Sequence, residues 1–363
     1  MKTYLKLLSV ICTVILFSSC GNADDDVNFD INQAGSLGLG KTVDQCLDLG
    51  ENDLVLSIQD QFTTLPGKVS IFFRVSDKTG NPVPGLTAEQ FTIYEQGRND
   101  DCFNTISASE SYARISPNSQ IFNNSTLLVL DLSNSVLSGS LEELKSATTS
   151  FITNVMPAVE EGSFRMAIYW FDGEDELHLL NPLTASRDEL IAAVASITPA
   201  ISNDPSTDLY GAVIKSANIA SELLIESTNN NSIGATSVVV FTDGTDQASR
   251  YSEDEALQKV NESNDNISFF AIGLGSEIDT EILMKIGKTS SVFAGSTEEL
   301  ETTFNDISLR VTQQANSFYL FEYCTPKRDG SGENNLVIQV KNGNLQGGVQ
   351  TKFDTTGFTG GCQ

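Results

Sequence analysis

Asp131, Ser133 and Ser135, in the stretch VLDLSNS (129–135), set one carboxylate and two hydroxyls at alternate positions just past an apolar run. Thr207 in SNDPST and Asp243 in VVVFTDG add a third hydroxyl and a second carboxylate. Five oxygen donors without imidazole or thiolate are hard ligands, suited to Mg²⁺, with Mn²⁺ or Ca²⁺ as alternatives, rather than to zinc or copper. Hydroxyls can bind such a cation as neutral donors while aspartates balance its charge, directly or through water. A set of this kind leaves the cation under-neutralised, with an open position that an incoming carboxylate could fill.

Other chemistries find less support. Asp-x-Ser-x-Ser by itself is often a turn or helix cap, and it gains meaning only from its company with Thr207 and Asp243. There is neither a Gly-x-Ser-x-Gly elbow nor a phosphate loop, and Ser-His-Asp catalysis would have to use His178, the single histidine. A hydrolytic metal would want zinc-type ligands to acidify its water. No catalytic residue is therefore assigned, and the chain is expected not to be an enzyme. His178 reads as a strand pairing or surface residue, Asp172 in WFDG as a solvated turn, Asp246 as a loop or cap residue, and Tyr169 and Trp170 as core or near-core.

The elements around these residues explain how they could converge. From Leu127 onward, apolar strand runs alternate with segments of helical period, as in TLLVLDLS followed by SLEELKSATTSFITNVM. Ser140 with Glu143, and Ser186 with Glu189, have capping-box spacing, and a further helix is expected to start at Ser252. FRMAIYWFDG and ELHLLNPL read as neighbouring strands, TDLYGAVIKSANIASELLIES as a long helix, and TSVVVFTDG and ISFFAIGLG as buried strands. A short helix around DTEILMKIG, the strand SVFAG and a last helix from Ser296 to about Gln314 complete the series. Such alternation predicts an α/β fold, a doubly wound and mainly parallel sheet with helices on both faces. Its ligands bind past the carboxyl ends of the strands, where Asp131, Ser133, Ser135, Thr207 and Asp243 all fall.

On either side the texture is β. DLVLSIQD, KVSIFFRVSD and FTIYEQG precede the α/β segment, separated by turn formers such as KTGNPVPG; SFYLFEYC and NNLVIQVKNG follow it. The second set is too short to fold alone, so the two are expected to complete one small β-sandwich into which the α/β unit is inserted. The boundaries so read are 46–118 and 316–363 for the sandwich and 119–315 for the insert.

The ordered set of five resembles the von Willebrand factor A domain with a metal-ion-dependent adhesion site. That family's Asp-x-Ser-x-Ser falls on Asp131, Ser133 and Ser135, its isolated threonine on Thr207 of STDLYGAV, and its strand-end aspartate on Asp243 of FTDGTD. The likeness covers roughly residues 124–315, including FFAIGLG and IDTEILMKIG. RVSDKTGNPVPGLTAEQFTIYEQG is similar, more weakly, to sandwich segments beside such domains in bacterial surface proteins. The resemblance implies a Mg²⁺-dependent adhesion or interaction module whose ligand, a protein or glycan, supplies an acidic group. The alternative reading is a scaffold subunit of an envelope complex with a structural metal; an accessory factor to an enzyme fits less well.

The amino end bears on location. MKTYLKLLSVICTVILF has lysines ahead of a short apolar stretch, the pattern of a secretory signal over residues 1–19. Phe17-Ser18-Ser19-Cys20 resembles the lipobox of bacterial lipoproteins, which makes Cys20 the lipidated first residue of the mature chain. The acidic run Asp24-Asp25-Asp26 resembles the export signal of Bacteroidota surface lipoproteins. Residues 20–45 read as an acidic tether. An outer-membrane lipoprotein exposed at the cell surface, held to the membrane through Cys20, is expected. Net charge is −27 over 363 residues, which argues against nucleic acid as a partner. Cys46, Cys102, Cys324 and Cys362 form an even set in an exported chain and are expected in disulfides; none lies in a CxxC, and one histidine cannot complete a typical zinc cluster. Three pairings are open.

Overall fold

A computed structural model describes residues 40–362, apart from 98, 108–111, 117–121, 231 and 329–331. The expected signal, Cys20 and the acidic run lie outside the described residues. Strands β1 (Leu54–Thr64), β2 (Lys68–Asp77), β3 (Phe91–Gln96), β4 (Asn104–Ile106) and β5 (Arg114–Ser116) come first. The α/β segment follows as β6 (Phe122–Asp131), α1 (Asn134–Gly139), α2 (Leu141–Val155), β7 (Phe164–Phe171), β8 (His178–Thr184), α3 (Arg187–Ala195) and α4 (Leu209–Asn229). It continues through β9 (Ile233–Thr242), α5 (Glu253–Glu262), β10 (Ile267–Leu274), α6 (Thr280–Ile286), β11 (Ser290–Ala294) and α7 (Leu300–Ala315). Strands β12 (Phe318–Cys324), β13 (Glu333–Asn342) and β14 (Leu345–Asp354) close the chain.

The six-stranded sheet has the order β11-β10-β9-β6-β7-β8. Its pairings are parallel except for β7 with β8. The central strands are apolar on both faces because both faces are covered. Along β6, Leu128 and Leu130 enter one core with Phe151 of α2 and Phe304 of α7, while Leu127 and Val129 enter the other with Val213 and Ala217 of α4. A shift of one residue in register would exchange the two sets and misfit both layers.

The flanking strands form two antiparallel sheets, β1-β2-β12-β5 and β14-β13-β3-β4. Each mixes strands from before and after the α/β segment, so neither sheet is complete without both ends of the chain. Leu56, Ile71, Phe73, Phe321, Ile338 and Val349 share the core between them. Strand β12 is buried along its whole length. Tyr319, Phe321 and Tyr323 face the sandwich core, whereas Phe318 and Leu320 join Phe72 and Phe122 in a seam against the α/β unit. The bonds Cys46–Cys102 and Cys324–Cys362 resolve the three-way choice of disulfides.

Several local expectations need correction. The capping boxes at Ser140 and Ser186 do not form. Ser140 lies at the junction of α1 and α2, and its hydroxyl donates back to the Val136 carbonyl; Glu189 accepts from Thr184 instead of reaching Ser186. The helix expected to start at Ser252 does so, and there a capping box with Glu255 forms. Strand β14 carries no strong β signal because of its Gly347-Gly348 pair. A side chain at Gly347 would collide with the Leu54 carbonyl, 2.0 Å from where its Cβ would stand, so glycine is what lets β14 approach β1.

Candidate metal centre

From β6 the chain crosses to β7 on one side, and it later returns to β9 on the other. The reversal opens a crevice at the carboxyl ends of β6 and β9, the usual ligand position in open parallel sheets. Asp131 is the last residue of β6, and Asp243 follows the last residue of β9. Ser133 is the N-cap of α1 and Ser135 sits in its first turn. Thr207 immediately precedes Asp208, the N-cap of α4, whose side chain accepts from the Gly211 amide.

Four of the five residues are joined by direct contacts. Ser133 Oγ lies 3.2 Å from Ser135 Oγ, and Ser135 Oγ donates to Asp243 Oδ1 at 2.9 Å. Adjacent oxygens around an octahedral Mg²⁺ with bonds of about 2.0–2.1 Å stand about 2.9 Å apart, so this spacing fits neighbouring vertices of one shell. Asp131 is fully buried; its Oδ1 accepts from the Ser133 amide at 2.9 Å and its Oδ2 from Thr242 Oγ1 at 2.6 Å. Thr207 is brought in through its loop. The Asn134 amide donates to the Pro205 carbonyl at 3.2 Å, and the Gln247 and Ala248 amides donate to the Thr207 carbonyl at 2.8 and 3.1 Å. The loops after β6 and β9 are thereby laced to the one ahead of α4, with Thr207 itself buried.

The electrostatics point the same way. Burial, reinforced by the neighbouring Asp243 carboxylate, pushes the Asp131 carboxyl up to about 6 against the pull of its hydrogen bonds. Burial likewise raises Asp243, with Glu277 adding to it and the Ser135 hydroxyl opposing. The charges acting on this pair are thus other carboxylates. Two desolvated acids whose charged neighbours have the same sign favour a cation, and the residues present suit a hard divalent one, in type throughout and in spacing from Ser133 through Ser135 to Asp243.

The family model described as von Willebrand factor type A domain matches residues 127–307. Residues 127–307 are a von Willebrand factor type A domain. Among solved structures, the chain is similar to a von Willebrand factor type A protein from Catenulispora acidiphila, with 11% identity over 85% of this chain and 74% of that one and a TM-score of 0.45. It is also similar to BatB from Bacteroides thetaiotaomicron, with 16% identity over 54% of this chain and 100% of that one and a TM-score of 0.42. A third is manganese-loaded TRAP protein from Plasmodium vivax, with 12% identity over 68% of this chain and 98% of that one and a TM-score of 0.43. No curated protein matches the chain.

Around this centre, the A domain treats the remaining polar residues unevenly. Asp246 is a cap and loop residue: its carboxylate accepts from the Tyr210 amide at 3.1 Å and the Ser249 amide at 2.9 Å. Trp170 is buried. Asp172 is not a solvated turn but fully buried, because Ser202 and Asp204 fold over it from thirty residues away: Ser202 Oγ donates to its Oδ2 at 2.6 Å. Sequence reasoning also passed over Thr242, whose hydroxyl holds Asp131; its place beside Asp243 was the available signal. A cleft of about 630 Å³ lies at the opposite, amino-terminal ends of β9 and β10, among Phe62, Leu224, Gly234 and Asn266, on the sandwich side of the A domain.

Proposed function

We propose that this chain is a cell-envelope interaction protein whose A domain captures a protein or glycan ligand through an acidic group and a Mg²⁺ held by Asp131, Ser133, Ser135, Thr207 and Asp243. The observation that supports it best is the run of oxygens from Ser133 through Ser135 to Asp243 at 3.2 and 2.9 Å, backed by the buried Asp131. The bound cation would offer one vertex to the ligand's carboxylate. Ser133, Ser135 and Thr207 supply neutral oxygens, so the charge on the metal is not exhausted by the protein. Asp131 fixes the Ser133 backbone and places negative charge behind the shell, with Thr242 fixing its orientation. Asp243 orients the Ser135 hydroxyl. The reading is capture without catalysis. The same reading holds the chain at the envelope through lipid on Cys20, supported by the apolar leader and the Phe17-Ser18-Ser19-Cys20 sequence.

Capture from intact cells by the full chain, with Mg²⁺ and then with excess chelator, tests the reading. Ligand retained in chelator, or retained by Asp243→Ala, sinks the metal mechanism. Cys20→Ser should release the protein from the membrane fraction; a variant that stays there removes the anchor from the proposal.

A further inference from the structure

We infer that Asp172, Glu174 and His178 form a second cation site in the A domain, built for a borderline divalent transition metal of the Zn²⁺ type and distinct from the all-oxygen centre. One ligand atom from each residue lies within 4.8 Å of the others. His178 Nε2 stands 3.6 Å from Glu174 Oε2 and 4.0 Å from Asp172 Oδ1. With bonds of about 2.0–2.2 Å, adjacent ligand atoms around Zn²⁺ lie about 3–3.5 Å apart, so the set closes when His178 and Asp172 draw together by about half an ångström and Glu174 swings slightly inward. Glu174 is free to make it, because its side chain is 41% exposed.

Two features separate this cluster from an ordinary acidic surface. The imidazole is stacked on Trp170, with ring centres 4.0 Å apart and planes within 13°, which fixes the direction of its nitrogens. Nε2, turned toward the two carboxylates, is buried and has no hydrogen-bond partner, and a buried nitrogen of that kind asks for a partner. A nitrogen donor beside two carboxylates suits a borderline cation better than Mg²⁺, with water completing the shell. Asp172 is already oriented as a ligand needs to be, its Oδ1 accepting from the Glu174 amide at 2.8 Å and its Oδ2 from Ser202. The Asp172 carbonyl also accepts from the Asp208 amide at 2.8 Å. A metal here would therefore brace the loop that carries Thr207.

The competing occupant is a proton, since a charged imidazole would also satisfy Glu174, Asp172 and Glu176. The single histidine makes the two separable. Metal-stripped full-length protein, saturated with Mg²⁺ to fill the oxygen centre, is titrated with Zn²⁺ while the His178 ring resonances are followed by NMR. The expected result is a shift complete at one equivalent of Zn²⁺, unmoved by Mg²⁺ alone and preserved in Ser133→Ala. Glu174→Gln, an exposed change that leaves the Trp170 stack intact, should weaken the Zn²⁺ response about tenfold or more. A ring that follows pH but ignores Zn²⁺ overturns the inference in favour of the ion pair. A Zn²⁺ response lost in Ser133→Ala overturns it in favour of the oxygen centre, and an unchanged affinity in Glu174→Gln overturns the ligand set. Each of these outcomes can occur whether or not Mg²⁺-dependent capture does.

Discussion

The sandwich and the candidate metal centre both hold carboxylates away from water, and they treat them differently. In the sandwich, Glu322 is met by Lys68 at 2.8 Å and by Arg114 at 2.7 Å, and Glu95 accepts from the Tyr323 and Thr325 hydroxyls, both at 2.9 Å, with the Lys327 ammonium also acting on it. In the A domain, Asp131 and Asp243 are met by hydroxyls, one amide and each other. A buried acid with its own counter-charge is a finished structural element; a buried acid without one is unfinished until something arrives from solution. The contrast separates acids that carry their own cation from acids that do not, although Asp131 is as hidden as Glu322 and Glu95, and Asp243 half so.

The contrast can be broken most directly at Asp131. Asp131→Ala is expected to weaken Mg²⁺ binding by at least about 100-fold in calorimetry with an unchanged far-ultraviolet circular dichroism spectrum; near-wild-type affinity would mean that the acids of the A domain are as self-sufficient as those of the sandwich. Next in size is stabilisation by the metal itself. At a Mg²⁺ concentration of about 100 times its Kd, unfolding should cost about 2.7 kcal/mol more than in chelator, and Asp243→Ala should show no such gain. Neutralising one acid on each side sharpens the comparison further. Glu322→Gln, which strips two cations of their partner, should destabilise by about 1–2 kcal/mol in urea melts, whereas Asp131→Asn measured in chelator should cost nothing or stabilise. The smallest effect belongs to Glu95, whose carboxyl is raised by burial. A raised native pKa means that its contribution is full below the unfolded value of about 4.3 and is lost as pH climbs through the native one. Glu95→Gln should therefore match wild type near pH 4 and melt about 1–2 °C higher by pH 8.

How much of this could be read from the residues differs by element. Strands such as VVVF and FFAIGLG announce themselves because burial on both faces demands a continuous apolar run, and the reversal of the sheet then places Asp131 and Asp243 side by side. Strand β14 escaped because its glycines answer a close approach to β1 that only three dimensions reveal. Asp172 was misread for the same reason: its neighbours in sequence are polar turn formers, but the groups that bury it, Ser202 and Asp204, belong to a distant loop. Ser140 satisfies the spacing of a cap, yet the helix boundary beside it leaves its hydroxyl a nearer acceptor in Val136. Cysteine partners were open in the sequence because pairing depends on which strands neighbour one another. Spacing along the chain reports local periodicity well and long-range shielding poorly.

The stack of Phe72, Phe122 and Phe318, with ring centres 5.5–5.7 Å apart, stands where the chain both enters and leaves the A domain. A domain joined at one point can swivel; three rings contributed by β2, β6 and β12 pack the seam at the first and last strands of the junction and oppose that freedom. The candidate metal centre lies at the other end of β6, about 30 Å away at the rise of a ten-residue strand. A ligand captured there, as proposed, would be held at a fixed bearing to the sandwich, so that a tug on it would reach the base as torque and not as slack.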